Sequence, residues 1–129
     1  MEPINQTYHI KAPVEKVWQA LTVPKHIDAW GGGPVKMSSK VGTKFSFWDG
    51  DIWGKNIEVV KNKKLVQEWY GGEWPEPSIA TFTLSKEKTG TRLDLLHTDV
   101  PTDKVKNFDD GWRDYFLGPL KEYVEKGVY

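Results

Sequence analysis

In "DGWRDYFLGPLKEYVE", residues 110–125, Trp112, Phe116, Leu120 and Val124 recur every four residues, and Tyr115 and Tyr123 fill the same side. This is the apolar stripe of a helix packed against a partner, so the chain must supply a matching apolar face elsewhere. Gly118-Pro119 falls in the middle of the stripe. One of these residues loosens a helix; the other removes a backbone donor and crowds the preceding turn. Glycine in a helix costs ~1 kcal/mol and proline ~3 kcal/mol, whereas each large side chain buried returns ~1.5–3 kcal/mol. Packing wins, and one helix that crosses its own breaker with a bend is expected. Two helices meeting at a glycine cap and a proline first turn are the alternative.

The matching face comes from residues 44–99, where the period changes to two. "KFSFWDGDIWG" reads as a hairpin in which Asp49-Gly50 supplies the positive-φ positions of a type I′ turn. That turn pairs Phe47 with Ile52 and Ser46 with Trp53, and puts Phe45 and Phe47 on one face. "KLVQEWY" is the next strand. "GGEWPEP" interrupts it, since two prolines favour an extended connection. "SIATFTLS" and "TRLDLLHT" form a second hairpin, and "VPTDKVKNF" opens the last helix with Thr102 or Asp103 as N-cap. Upstream, "INQTYHI" alternates as a first strand. "APVEKVWQALT" and "PKHIDAW" then read as two short helices, the first with Pro13 at its first position. Strand, two short helices, about six antiparallel strands and one long helix make an α+β chain, a single domain over 1–129. Its sheet must twist and curve, with Gly54, Gly71 and Gly72 as bend points.

Composition removes several function classes. There is no cysteine, which excludes disulfides and thiolate chemistry and fits a cytoplasmic protein. The start "MEPINQTYHI" lacks the basic and apolar regions of a secretion signal, and no apolar run approaches the ~18 residues of a membrane span. The formal net charge is zero, and "KNKK" at 61–64 reads as a solvated turn, so neither nucleic acid nor membrane is an expected partner.

No catalytic set emerges. His9, His26 and His97 lack metal-ligand spacing, "DGD" is explained by its hairpin, and no nucleophile elbow, dinucleotide loop or phosphate loop occurs. Neither metal nor cofactor is expected. Asp109-Asp110 are neighbours that point apart on a helix. Glu68 and Asp94 fall on the outer faces of their strands. His97 shares a strand face with Leu93 and Leu95, and is read as bonded to backbone or water more readily than as a switchable group in an apolar hollow. The seven tryptophans stand out. Phe45, Phe47, Trp69, Phe82, Leu93, Leu95, His97, Trp112, Phe116 and Leu120 face the helix–sheet interface. They form either the lining of a ligand cavity or a filled core. Trp74, in "GGEWPEP", is a candidate partner contact at the rim.

Taken in order, "APVEKVWQALT", "VGTKFSFWDGDIWGK", "LVQEWYGGEWPEPSIATFTL", "GTRLDLLHTDVP" and "GWRDYFLGPLKEYV" resemble the helix-grip (birch-pollen-allergen-like, SRPBCC) superfamily. Within it they are similar to the C-terminal domain of the activator of heat-shock protein 90 ATPase. The resemblance covers nearly the whole chain and implies a curved seven-stranded antiparallel sheet gripping the long C-terminal helix. It also implies a non-enzymatic binding protein, co-chaperone-like or stress-related, with a heat-shock protein 90-like chaperone as partner. The preceding domain of the eukaryotic activators, with its ATPase-promoting motif, has no counterpart among these matches. Wider relatives bind lipids, hormones or polyketides. They imply two alternatives, a carrier or sensor of a small apolar ligand and, more remotely, a polyketide cyclase-like enzyme.

Overall fold

The computed structural model describes residues 3–127, so the outermost positions of the 1–129 span lie outside the described residues. Strand β1 (Ile4–Ile10) leads into helices α1 (Val14–Thr22) and α2 (Pro24–Trp30). Pro13 stands one position earlier than expected, as the α1 N-cap in extended conformation. There follow β2 (Lys44–Phe47), β3 (Ile52–Val60), β4 (Lys64–Tyr70), β5 (Ser78–Glu87) and β6 (Gly90–Thr98). They form one antiparallel sheet in the order β1-β6-β5-β4-β3-β2.

The sheet has six strands, not seven. Outside β2, the segment "PVKMSSKVG" makes an isolated bridge between Lys36 and Ser46. Pro34 offers no donor, and the serines and glycine after it are poor strand formers, so no ladder extends there.

The β2–β3 pairing falls where the turn chemistry puts it, with Phe47 opposite Ile52 and Ser46 opposite Trp53. Asp49 and Gly50 adopt positive φ as expected, and Trp48 joins them at φ 50. A bulky aromatic residue rarely occupies that region. Trp48 is held there because its N–H donates to the Gly32 carbonyl, its indole to the Gly31 carbonyl, and the next N–H to the Pro34 carbonyl. The glycine-rich loop after α2 thus clamps the hairpin tip.

At the C-terminal end neither Thr102 nor Asp103 caps with its side chain. The chain enters through a 3₁₀ turn, Thr102–Lys104, in which the Lys104 N–H reaches the Pro101 carbonyl. Helical backbone then runs without interruption through α3 (Val105–Gly111), a π turn (Trp112–Phe116) and α4 (Leu117–Glu125). The breaker is absorbed by that π turn. The Leu117 N–H reaches back to the carbonyls of Arg113 and Trp112. Widening the turn just ahead of Pro119 makes room where its ring and missing donor would otherwise conflict with a regular turn. Gly118 is required by the same detour, since a Cβ there would lie 2.1 Å from the Arg113 carbonyl oxygen.

Gly118→Ala, a stabilising change in an ordinary helix, is therefore expected to destabilise this protein by about 1–3 kcal/mol. Urea denaturation of the variant beside wild type checks this. An unchanged or higher midpoint would show that the turn relaxes freely.

Candidate functional site

The stripe of the C-terminal helix meets the concave face of the sheet in a tight aromatic assembly. Phe116 is the hub. Its ring lies 4.7 Å from Trp30, 5.1 Å from Phe47, 4.8 Å from Trp112, 5.8 Å from Trp69 and 5.9 Å from Phe82. Trp112 stacks obliquely on Trp69 at 4.5 Å. Phe45, Phe47, Phe82, Leu93, Leu95 and Leu120 are buried around them. All ten interface residues read from the sequence come together here.

Two chains of hydrogen bonds anchor this assembly. The Trp112 indole donates to His97 Nδ1 at 2.9 Å, which fixes the imidazole proton on Nε2. That proton goes to Ser78 Oγ at 2.7 Å, and the Ser78 hydroxyl donates to the Trp69 carbonyl at 2.9 Å. His97 is thus fully partnered, and burial pushes its imidazole down to about 3 from the usual 6.5. On the other side of the tryptophan pair, the Trp69 indole donates to Gln67 Oε1 and Gln67 donates to Asn56 Oδ1. Asn56 in turn donates to the carbonyls of Ser38 and Lys40. The sequence reading passed over Ser78, Gln67 and Asn56. The signal for Gln67 was its place between Leu65 and Trp69, on the face that strand alternation buries.

The assembly is filled except at one end. Beside the π turn a hollow of about 140 Å³ opens between Trp48, Ile52, Trp69, Phe108, Trp112 and Phe116, with Tyr115 at its mouth. Tyr115 is 69% exposed. Trp69, Trp112 and Phe116 are the sequence-read residues that line this hollow, and the other seven sit deeper or elsewhere in the core. Trp74 lies at the same end, half-buried against Phe108 at 5.3 Å. Trp48 and Tyr115, which the sequence reading did not select, owe their positions to two backbone irregularities that face each other across the hollow.

The remaining polar groups do not converge. Asp109 accepts from Gln6, and Asp110 pairs with Lys106 and Arg113. Glu68 and Asp94 pair with Lys55 and Arg92 on the outer face. His9 meets Glu87, and His26 meets the Tyr123 hydroxyl. Among the described residues no group of three His, Asp or Glu side chains is placed to hold a metal ion. No helix among them is long and apolar enough to cross a membrane.

A curved antiparallel sheet closed on a C-terminal helix, with a helix pair after the first strand and an aromatic interface between, is the helix-grip class of protein. The sequence places it more narrowly. Residues 11–125 match the model of the family described as "Activator of Hsp90 ATPase homolog 1-like protein", and the chain belongs to that family. It is 29% identical over 114 residues to the mouse activator of 90 kDa heat shock protein ATPase homolog 2, covering 87% of this chain and 34% of that protein. The chain spans about a third of the length of the curated relatives it matches first. Among solved structures it is similar to an HSP90 activator from Plasmodium falciparum, with TM-score 0.87, 26% identity and 95% of each chain covered. It is also similar to the Aha1 dimer from Colwellia psychrerythraea, with TM-score 0.84, 25% identity and all of both chains covered.

The buried His97 gives a testable pH dependence. Unfolded, it takes up a proton near its usual 6.5; folded, it stays neutral down to about 3. Stability is therefore complete above pH 6.5 and falls as the pH drops through that window, by up to about 1.4 kcal/mol per unit. His26, also lowered by burial with Lys25 and Lys16 nearby, adds to the same slope. Denaturation midpoints measured between about pH 7 and about pH 5 should decline for wild type. They should decline less steeply for His97→Gln; equal slopes would contradict the neutral, locked imidazole.

Proposed function

We propose that this chain is a non-enzymatic binding module that docks on a heat-shock protein 90-like chaperone through the end of the molecule carrying Trp48, Trp74 and Tyr115. The family membership supports the partner class, because relatives in it are named as activators of that chaperone's ATPase. The observation that carries the reading is the size and lining of the hollow. At about 140 Å³ it admits a single apolar side chain, not a ligand needing ~300 Å³ or more. An exposed tyrosine beside an aromatic pit, on a well-packed support, is the usual anatomy of an interface anchor point.

The test is capture of the purified chaperone by this chain, with isothermal titration of wild type, Tyr115→Ala and Trp74→Ala. Tyr115→Ala is expected to weaken binding by about 1–2 kcal/mol and Trp74→Ala by at least as much. Wild type that captures no chaperone would remove the reading.

A second reading is favoured by the mainly aromatic walls: a small single-ring apolar molecule bound in the same hollow, which is of the size that admits benzene in an engineered cavity. Native mass spectrometry of protein purified without denaturation would reveal it as an added mass. The cyclase-like alternative finds no support in His97, whose two ring nitrogens are both engaged in the core.

A further inference from the structure

The net charge of zero hides a separation of charge along the strands. One end of the sheet carries the β3–β4 turn, the β5–β6 turn and the link from β1 to α1. These bring Lys11, Lys61, Lys63, Lys64, Lys86 and Lys88 together, against Glu15, Glu58, Glu87 and Glu125, the last of which accepts from the Lys11 N–H and pairs with Lys121. The other end, with the hairpin tip and "GGEWPEP", carries Asp49, Asp51, Glu73, Glu76, Asp99 and Asp103, with Lys104 the nearby cation. At the basic end the acids are partly spent, Glu58 on Lys64 and Glu87 on His9. Lys63, Lys86 and Lys88 have no ion-pair partner among the described residues.

Between these lysines runs a groove of about 660 Å³ whose floor is Val14, Val60 and Leu84, with Lys63, Lys64 and Lys86 along its sides. It continues past Val14 and Lys86 into a second cleft of about 450 Å³ beside Lys11 and Lys88. Val60 is 42% exposed, a large aliphatic side chain left uncovered among cations. At the lip, Asn62 sits in left-handed conformation, with an Oδ1 that has no hydrogen-bond partner. That oxygen is a buried acceptor left unsatisfied beside the groove.

We propose that this groove is a second docking site, distinct from the aromatic hollow at the far end, and that it takes an extended acidic segment of a partner protein in which carboxylates alternate with aliphatic residues. The aliphatic side chains lie on Val14, Val60 and Leu84 while the carboxylates meet the lysines on either side. The chemistry argues against phosphate-bearing occupants. The groove holds no arginine to grip phosphate bidentately and no exposed ring to stack a base. Its acids, Glu15 among them, would face a flat anionic membrane. In the acidic end that a second copy would bring, Asp49, Asp51, Glu73 and Glu76 alternate with glycine, tryptophan and proline and not with aliphatic residues, and Trp74 is already packed on Phe108.

Fluorescence anisotropy with a labelled peptide of alternating Glu and Leu tests this, beside a Lys-Leu peptide and oligoglutamate. Wild type should bind the Glu-Leu peptide best, and more weakly as salt rises from about 50 to about 200 mM. Lys63→Glu combined with Lys86→Glu, and separately Val60→Asp, should each cost about tenfold or more in affinity. Glu73→Lys with Glu76→Lys, at the far end, should change nothing. Circular dichroism confirms that each variant is folded. Absent binding by wild type, or equal binding by the lysine variants, would overturn the proposal. So would vesicles of phosphatidylserine or single-stranded DNA binding as tightly as the peptide. Concentration-dependent self-association in sedimentation, abolished by either charge reversal, would assign the groove to a second copy instead.

Discussion

Everything in this molecule is arranged around the contact of Phe116 and Trp112 with the concave face of the sheet. Ring pairs at the separations seen here add about 0.5–1.5 kcal/mol each beyond the area they bury. Phe116 makes several at once, to residues from α2, β2, β4, β5 and its own helix. That concentration explains why the chain tolerates Gly118-Pro119. Realigning the helix to avoid the breaker would unseat the rings, so the backbone deforms instead and the π turn lies within the segment that carries them.

The two chains of hydrogen bonds give that contact its specificity. A core made of flat rings alone can slide, and both Trp69 and Trp112 carry an N–H that burial would otherwise strand. Here each indole has one assigned acceptor, His97 for Trp112 and Gln67 for Trp69. The first chain ties helix to sheet and the second ties the sheet to the 38–40 loop. These polar groups therefore act as registration pins, His97 among them with both ring nitrogens engaged.

The sequence made much of this legible. The helix stripe, the β2–β3 register and the set of interface rings followed from periodicity and turn chemistry, which are local and strong. What escaped it was non-local. Nothing around Trp48 says that a glycine loop after α2 will hold it at positive φ. Likewise, the π turn arises only when proline, packing and the Arg113 carbonyl compete for one place. Whether ten aromatic and aliphatic residues enclose a cavity or fill a core depends on sub-ångström fit, which composition does not encode. The seventh strand, which both the strand count and the resemblance pointed to, does not form, and the Pro- and Ser-bearing segment after α2 makes only an isolated bridge.

With the core closed, the two proposed docking sites lie at the two ends of the strands: an aromatic pit with acidic turns at one, a lysine-flanked aliphatic groove at the other. The pit depends on the helix staying seated, because it is built from the π turn itself. Native-state hydrogen exchange measures that seating most directly. The amides of Leu117, Leu120 and Val124 should exchange only through global unfolding, in step with those of Trp69, Phe82 and Leu95. Exchange of the helix amides by local fraying, while β4, β5 and β6 stay protected, would contradict it.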